Sequence, residues 1–256
     1  MYLLPAAALL VAQSAAAQIQ PHRAEYILRL GTAINAPRVG TATQDLTQDC
    51  DAWHLKRDVK GEVPISATWK FDIISTLISD EGRSGDDLRY RATQVQNGAE
   101  REVRGTVQRA GDELQAESMS PDGSAHILLP SLTRMPVASI GYVIDKLRAN
   151  LASFSTFSFD AQGSGEVLRV DVVQIVDSAL RRRLPSDEPV NVTGRSWPIR
   201  MSFTRSAKDK PLFTLTARLF ASGVLDYVTV DSDVVSVSAD LKTLKMYSPP
   251  SCQQVQ

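Results

Sequence analysis

The side chains that could carry chemistry are few. The 256 residues include two cysteines and three histidines. His22, His54 and His126 fall on three separate predicted strands, and none has the His-x-x-x-His or Cys-and-His spacing that a zinc site uses. The sequence therefore predicts no metal site and no cofactor.

Acidic residues offer two further candidates. The acidic stretch at residues 80–87 could chelate Ca²⁺, but its order does not fit an EF-hand, and we interpret it as a solvated surface loop. Asp231 and Asp233 share one face of an extended segment, where paired carboxylates could do acid–base chemistry. Because no third group is placed to orient them, the sequence predicts no catalytic residue and no enzyme.

A serine motif and an arginine run complete the survey. The sequence Gly163-Ser164-Gly165 lacks the strand-to-helix G-x-S-x-G frame of a hydrolase and predicts a turn. The run Arg181-Arg182-Arg183 could contact anionic lipid headgroups, but it lies in a polar stretch, residues 178–195, that we interpret as a solvated loop. The net charge of −1 supplies no field for a polyanion, so nucleic acid is excluded as a partner.

The N-terminus has the pattern of an export signal. An apolar run at residues 2–12 precedes Ala15-Ala16-Ala17, which fits a signal-peptidase site, so we predict a signal peptide at residues 1–17 and a periplasmic protein. In an oxidising compartment thiols pair, which predicts a disulfide between Cys50 and Cys252. The alternative is two free or intermolecular thiols.

The elements that position these residues are mostly strands. A period of two predicts half-buried antiparallel strands, most clearly where Phe213, Leu215, Ala217 and Leu219 share one face. Asn97-Gly98 predicts a type I′ hairpin turn. The predicted strands cover residues 24–33, 40–46, 53–60, 66–77, 88–96, 100–107, 114–119, 125–129, 166–175, 199–204, 212–220, 224–230 and 234–241.

One segment has helical spacing instead. After Pro136, apolar residues recur at intervals of three and four, which predicts an amphipathic helix of about four turns. They are Ile140, Val143, Ile144, Leu147 and Leu151. A long antiparallel sheet that curls needs a filler for its concave face, and this helix can supply it. We predict a mainly β fold with a single domain at residues 18–256.

Several short motifs carry a resemblance to a known family. They are His22-Arg-Ala-Glu-Tyr26, Cys50-Asp-Ala-Trp53 with Arg57, Asn97-Gly98 with Glu102-Val-Arg-Gly105, Leu129-Pro130, Ser196-Trp-Pro-Ile-Arg200, Ser222-Gly-Val224 and Cys252. In order and spacing the chain resembles the EipB family of alphaproteobacterial periplasmic cell-envelope integrity proteins. The resemblance implies a long antiparallel sheet wound into a spiral around a helix, similar to the lipoprotein carriers LolA and LolB. It also implies a disulfide at Cys50 and Cys252, and a periplasmic tetratricopeptide-repeat protein as a partner.

The predicted curled sheet and the resemblance to the EipB family together favour a binding protein. We hypothesise an apolar trough formed by Phe213, Leu215, Ala217 and Leu219 on one strand and Val143 and Leu147 on the helix. An acyl chain, a lipoprotein or a peptide would occupy it, and the protein would be a monomer. The alternatives are a scaffolding protein that acts through its outer surface and a secreted hydrolase that uses carboxylates.

Overall fold

The structure is a computed structural model that describes residues 19–64, 70–162, 165–183, 190–207 and 209–252. The predicted signal peptide at residues 1–17 lies outside this part of the chain.

The described residues form 15 strands, one α-helix and a 3-10 turn. The strands are β1 (His22–Leu30), β2 (Arg38–Gln48), β3 (Ala52–Pro64), β4 (Lys70–Gly82), β5 (Asp87–Gln96), β6 (Ala99–Ala110), β7 (Glu113–Ser120), β8 (Gly123–Leu129), β9 (Thr133–Arg134), β10 (Ser153–Phe159), β11 (Val167–Gln174), β12 (Ser196–Thr204), β13 (Phe213–Phe220), β14 (Leu225–Asp231) and β15 (Ser236–Met246). The helix is α1 (Pro136–Arg148), and the 3-10 turn is Asp177–Ala179.

All of these strands belong to one sheet, in the spatial order β8-β7-β6-β5-β4-β3-β2-β1-β15-β14-β13-β12-β11-β10-β9. Strand β1 pairs antiparallel with β2 on one side and with β15 on the other, so the first and last strands meet inside the sheet. The sheet curls into a nearly closed barrel whose two edges are β8 and β9. This confirms the predicted mainly β fold, a single long sheet curled around a helix, which is antiparallel except where the short edge strand β9 pairs parallel with β10.

Alternating burial explains how the sheet obtains an inner face. On β5, Leu88, Tyr90 and Ala92 are buried, whereas the residues between them are exposed. Directly paired residues of neighbouring strands point to the same side, so this alternation extends from strand to strand. The Asn97-Gly98 turn has φ angles of 48° and 83°, as the predicted type I′ geometry requires.

Helix α1 fills the inside of the sheet, as predicted. Pro136 stands in its first turn, and Val143, Ile144 and Leu147 are buried in the main apolar core. The helix ends three residues before Leu151, which was expected on its apolar face and is 36% exposed. Asn150 has a φ of 59°, and the backbone N–H groups of Asn150 and Leu151 return to the carbonyl groups of Leu147 and Lys146. This reversal is a Schellman motif, and it stops the helix.

Two strands, β9 and β10, were not predicted from the sequence. Strand β9 has only two residues, too few to show any period. Strand β10 places Phe154 on one side and Phe157 and Phe159 on the other, so it lacks a clean alternation of apolar and polar residues. Strand β4 was expected to begin at residue 66, but residues 65–69 lie outside the described chain, and it extends five residues beyond the predicted end at Leu77, to Gly82.

Candidate functional site

A cavity of 290 Å³ lies between helix α1 and the inner face of the sheet. Its size is at the lower end of the about 300–1,000 Å³ that ligand pockets occupy. Strands β2, β3 and β4 form one wall and strands β11 to β14 form the opposite wall. The apolar lining residues are Leu46, Leu55, Leu77, Pro136, Val137, Ile140, Val143, Phe159, Ala161, Leu168, Val170, Met201, Phe203, Phe213, Leu215, Leu219 and Leu225.

Four of the six residues predicted to form the trough line this cavity. Phe213, Leu215 and Leu219 do so from β13, and Val143 does so from α1. The other two, Ala217 and Leu147, are completely buried and are not among the lining residues. A register shift between Thr216 and Arg218 interrupts the pairing of β13 with β14 at Ala217, so the strict alternation expected along β13 does not hold there.

The wall formed by β12 and β13 is only half-buried. Met201, Phe203, Phe213 and Leu215 all keep part of their surface accessible, and the rings of Phe203 and Phe213 stack with their centroids 4.4 Å apart. The opposite wall is closed, because Leu55 and Leu77 on β3 and β4 are buried in the core. Accessible apolar surface is therefore concentrated on one side of the cavity.

A guanidinium group lies in the opposite wall. The Arg57 side chain donates from Nη1 to Oε1 of Gln162 at 3.1 Å and from Nη2 to Oε1 of Gln44 at 3.0 Å. Burial lowers the pKa of Arg57, while the negative charge of Asp160 acts in the opposite direction. Arg57, Gln44 and Gln162 all line the cavity, together with Asp160 and the serines Ser139 and Ser158, so a mainly apolar surface includes one cation with polar neighbours.

The partners of Arg57 are themselves held by hydrogen bonds. His22 donates from Nδ1 to the carbonyl of Gln20 at 2.8 Å, which leaves its Nε2 to accept from Nε2 of Gln44 at 3.3 Å. This assignment is consistent with a neutral ring, since burial lowers the pKa of His22. Nε2 of Gln162 donates to the Ser75 hydroxyl at 3.1 Å. Both amide oxygens are thus oriented towards Arg57.

Sequence reasoning did not identify Arg57, Gln44 and Gln162 as site residues. A local signal exists for two of them. Gln44 precedes Leu46 by two residues, and Arg57 follows Leu55 by two, so each lies on the same strand face as a buried leucine. A polar residue on an inward face is more informative than an exposed one, because it needs a specific partner.

Glu81 was expected in a solvated loop, and this prediction was wrong. Its side chain is 1% exposed, and its two carboxylate oxygens accept the backbone N–H groups of Val137 and Ala138, both at 2.7 Å. Met135, at the helix N-cap, offers no side-chain acceptor, so Glu81 caps α1 from strand β4. Burial raises the pKa of Glu81 to about 7, against the opposing effect of the two N–H donors.

His54 forms a second polar group, at the surface. Its Nδ1 donates to Asp80 at 2.6 Å, its Nε2 donates to Asp49 at 2.8 Å, and these bonds raise the pKa of His54. Two donated bonds require the charged imidazolium, which leaves neither ring nitrogen as a base. The group therefore joins strands by charge and lacks the free base that acid–base catalysis needs.

The other candidates from the sequence do not form a reactive cluster. Within the described ranges, no group of three histidine, cysteine or acidic side chains is placed to hold a metal ion. Asp231 accepts from the Ser236 hydroxyl at 2.5 Å and is exposed, as is Asp233. Gly163 and Ser164 lie outside the described residues.

The arginine run does not form a solvated loop, contrary to the sequence prediction. The Arg181 and Arg183 side chains are 2% and 6% exposed and form ion pairs with Asp240 and Asp226. These aspartates lie on β15 and β14, so the ion pairs hold the segment after the 3-10 turn against the sheet. Neither of these two guanidinium groups is available to a lipid headgroup.

The two cysteines lie at disulfide distance. The Cα atoms of Cys50 and Cys252 are 5.5 Å apart, and their sulfur atoms form a disulfide bond. Cys50 belongs to the turn between β2 and β3, whereas Cys252 belongs to the tail that follows β15. Trp53, three residues after Cys50, is buried in the main core.

Comparison with known proteins agrees with this architecture. A crystal structure of a beta-barrel-like protein of domain of unknown function DUF1849 from Brucella abortus superposes with a TM-score of 0.76. The two sequences are 19% identical, and the match covers 90% of this chain and 99% of the other. No curated protein sequence matches the chain.

No α-helix in the described ranges has the length and apolar character needed to cross a membrane. The EipB-like family model matches residues 13–248, which is most of the sequence. The chain therefore belongs to the EipB-like family.

Proposed function

We propose that this chain is a non-enzymatic periplasmic protein that supports the cell envelope by holding an apolar guest in the cavity beside α1. The guest is an acyl chain, the tail of a lipoprotein or an apolar peptide segment. The observation that carries the proposal is the half-buried apolar wall of β12 and β13, which includes Phe213 and Leu215.

The physical reason is the unfavourable free energy of exposing the apolar wall of β12 and β13 to water. Water in contact with apolar side chains is unfavourable by roughly 25 cal/mol per Å². A guest that covers Met201, Phe203, Phe213 and Leu215 would remove this contact. The helix and the closed wall behind it supply a rigid surface, so binding would order few side chains.

A carboxylate-dependent hydrolase is the less favoured alternative. Such an enzyme needs convergent acids and a positioned nucleophile within a cleft. The acids that sequence analysis singled out are dispersed: Glu81 caps the helix, Asp80 binds His54, and Asp231 is exposed. The cavity itself contains Asp160 as its single lining carboxylate among the described residues.

Binding can be tested with the purified exported protein. Native mass spectrometry after gentle purification should reveal a co-purified apolar guest, and the protein should bind Nile red, a neutral apolar dye. Leu215→Trp fills part of the cavity with a larger apolar side chain and should reduce dye binding. Leu215→Asp should abolish it, because a charge in an apolar wall is strongly unfavourable.

The matched control is Val173→Asp. Val173 is 44% exposed on β11 and is not a cavity residue, so the same chemical change there should leave binding intact. Thermal unfolding of all three variants separates lost binding from lost folding. Wild-type protein that carries no guest and binds no apolar probe would contradict the proposal.

The edge strand β8 favours a second candidate, a scaffolding role through the outer surface. Leu128 is 62% exposed and Ile127 is 39% exposed on this strand, whose far side has no neighbour in the sheet. An exposed apolar edge is an attachment point for another chain. A periplasmic tetratricopeptide-repeat protein is the partner we propose to test, by comparing its binding to wild type and to Leu128→Lys.

A further inference from the structure

Arg57 has more hydrogen-bonding capacity than its neighbours use. A guanidinium group has five N–H donors. In the described part of the chain, two of them donate, to Gln44 and Gln162, and both acceptors are neutral amide oxygens. No ion pair to Arg57 is formed by any described residue.

The surroundings make this cation unusual. Leu55 and Leu77, its neighbours along β3 and across on β4, are 5% and 2% exposed and line the same cavity. A cation beside apolar surface has lost much of its water, so an anion that reaches it gains a charge-assisted bond in a medium of low polarity. The fixed orientation of Gln44 and Gln162 holds the guanidinium in place for such a bond.

We propose that the guest of the cavity is an anionic amphiphile, with a carboxylate or phosphate head group bound by Arg57 and an acyl chain along the apolar wall. This rests on the proposed function, since it requires that the cavity accept an apolar chain. The head group would take the remaining N–H donors of Arg57, and the chain would extend towards Phe213 and Leu215.

Asp160 restricts the charge of the head group. It lines the same cavity, its negative field acts on Arg57, and its Oδ1 accepts from the backbone N–H of Gln162 at 3.1 Å. A head group with one negative charge is favoured over one with two, because Asp160 repels the second charge.

Three ligands with the same chain separate the contribution of the head from that of the tail. Decanoate, decyl phosphate and decanol differ only in the head group, and each can be measured by displacement of Nile red. Both anions should bind at least about tenfold more tightly than decanol, the loss expected when one charge-assisted bond is absent. Decanoate, with one charge, should bind more tightly than decyl phosphate, which carries nearly two charges at neutral pH, because Asp160 repels the second charge. The reverse order would identify a phosphate head group and overturn the role of Asp160.

Arg57→Met should erase the preference for the anions, so that the ratio of the anion affinities to the decanol affinity of the same variant falls to about one. The matched control is Arg200→Met, which removes the same charge from an exposed residue of β12 that does not line the cavity. If Arg57→Met does not fold, the wild-type comparison of the three ligands still decides, together with Arg57→Lys, which keeps the charge and should keep the preference for the anions.

The two proposals fail in different ways. Equal binding of decanoate and decanol to wild type, or an anion preference that persists in Arg57→Met, would overturn the role of Arg57 and leave an apolar binding site. Failure of all three ligands and of Nile red to bind would overturn the proposed function itself.

Discussion

The burial of Glu81 at the start of α1 should make a contribution to the stability of the protein that decreases as the pH rises from acid to neutral. Burial raises the pKa of Glu81 from 4.5 to about 7 in the folded protein, and the nearby charge of Asp87 acts in the same direction. The folded state therefore holds a proton that the unfolded chain releases. The contribution of this group is complete below pH 4.5 and is lost as the pH rises through about 7.

The magnitude follows from the two pKa values. A pKa of about 7 in place of 4.5 corresponds to about 3 kcal/mol at most, using 1.36 kcal/mol per pKa unit. The assay is urea unfolding of wild type and Glu81→Gln between pH 4.5 and 8. The difference between the two free energies of unfolding should change by up to this amount, because glutamine does not titrate.

The comparison has a matched control and a clear contrary result. Glu100→Gln changes an exposed glutamate, and its difference from wild type should stay nearly constant over the same pH range. If wild type gained stability relative to Glu81→Gln as the pH rose, the two backbone N–H donors would outweigh burial. The carboxylate would then be ionised in its buried position, and our reasoning would be refuted.

Two further predictions concern the disulfide and a buried ion pair. Intact mass should show the purified, non-reduced protein about 2 Da lighter than its reduced form, and Cys252→Ser should lower the thermal midpoint, since closing a loop of 202 residues stabilises by roughly 5 kcal/mol at most. Free alkylation of both thiols in the non-reduced, denatured protein would contradict this. Arg183→Met should cost about 3–5 kcal/mol in urea unfolding, because it removes the cation that pairs with the buried Asp226, and adding Asp226→Asn should restore part of the loss. Wild-type stability of the single variant would show that this ion pair is not needed.

The sheet could be predicted because its evidence is local. Alternation along β5 and the Asn97-Gly98 turn lie within short windows, and each follows from backbone geometry alone. The helix was also visible from its spacing after Pro136. Its true end was missed because Asn150, in a left-handed conformation, ends it before the apolar pattern does.

The buried charges could not be predicted in the same way. Glu81 and Arg183 sit in stretches that read as polar loops, and each is buried because its partner comes from far along the chain. Glu81 meets the first turn of α1, 56 residues away, and Arg183 meets Asp226, 43 residues away. A short stretch of sequence around such a residue shows the charged side chain but not its distant partner. Sequence analysis of that stretch therefore predicts a solvent-exposed residue.

The candidate site shows the same division. The apolar wall on β13 was found from its alternation, but its polar counterpart at Arg57 depends on Gln162, which approaches from 105 residues away. Sequence reasoning therefore identified an apolar trough without its charged end.

Strand β3 explains why the parts of this site belong together. Trp53, Leu55 and Arg57 lie on one face of the strand: Trp53 is buried in the main core, Leu55 lies in the cavity wall, and Arg57 lies in the polar part of the cavity. The facing residue of β4 opposite Trp53 is Glu81, which holds the start of the helix that bounds the cavity. A displacement of β3 would therefore move the guanidinium, the wall and the helix cap in concert.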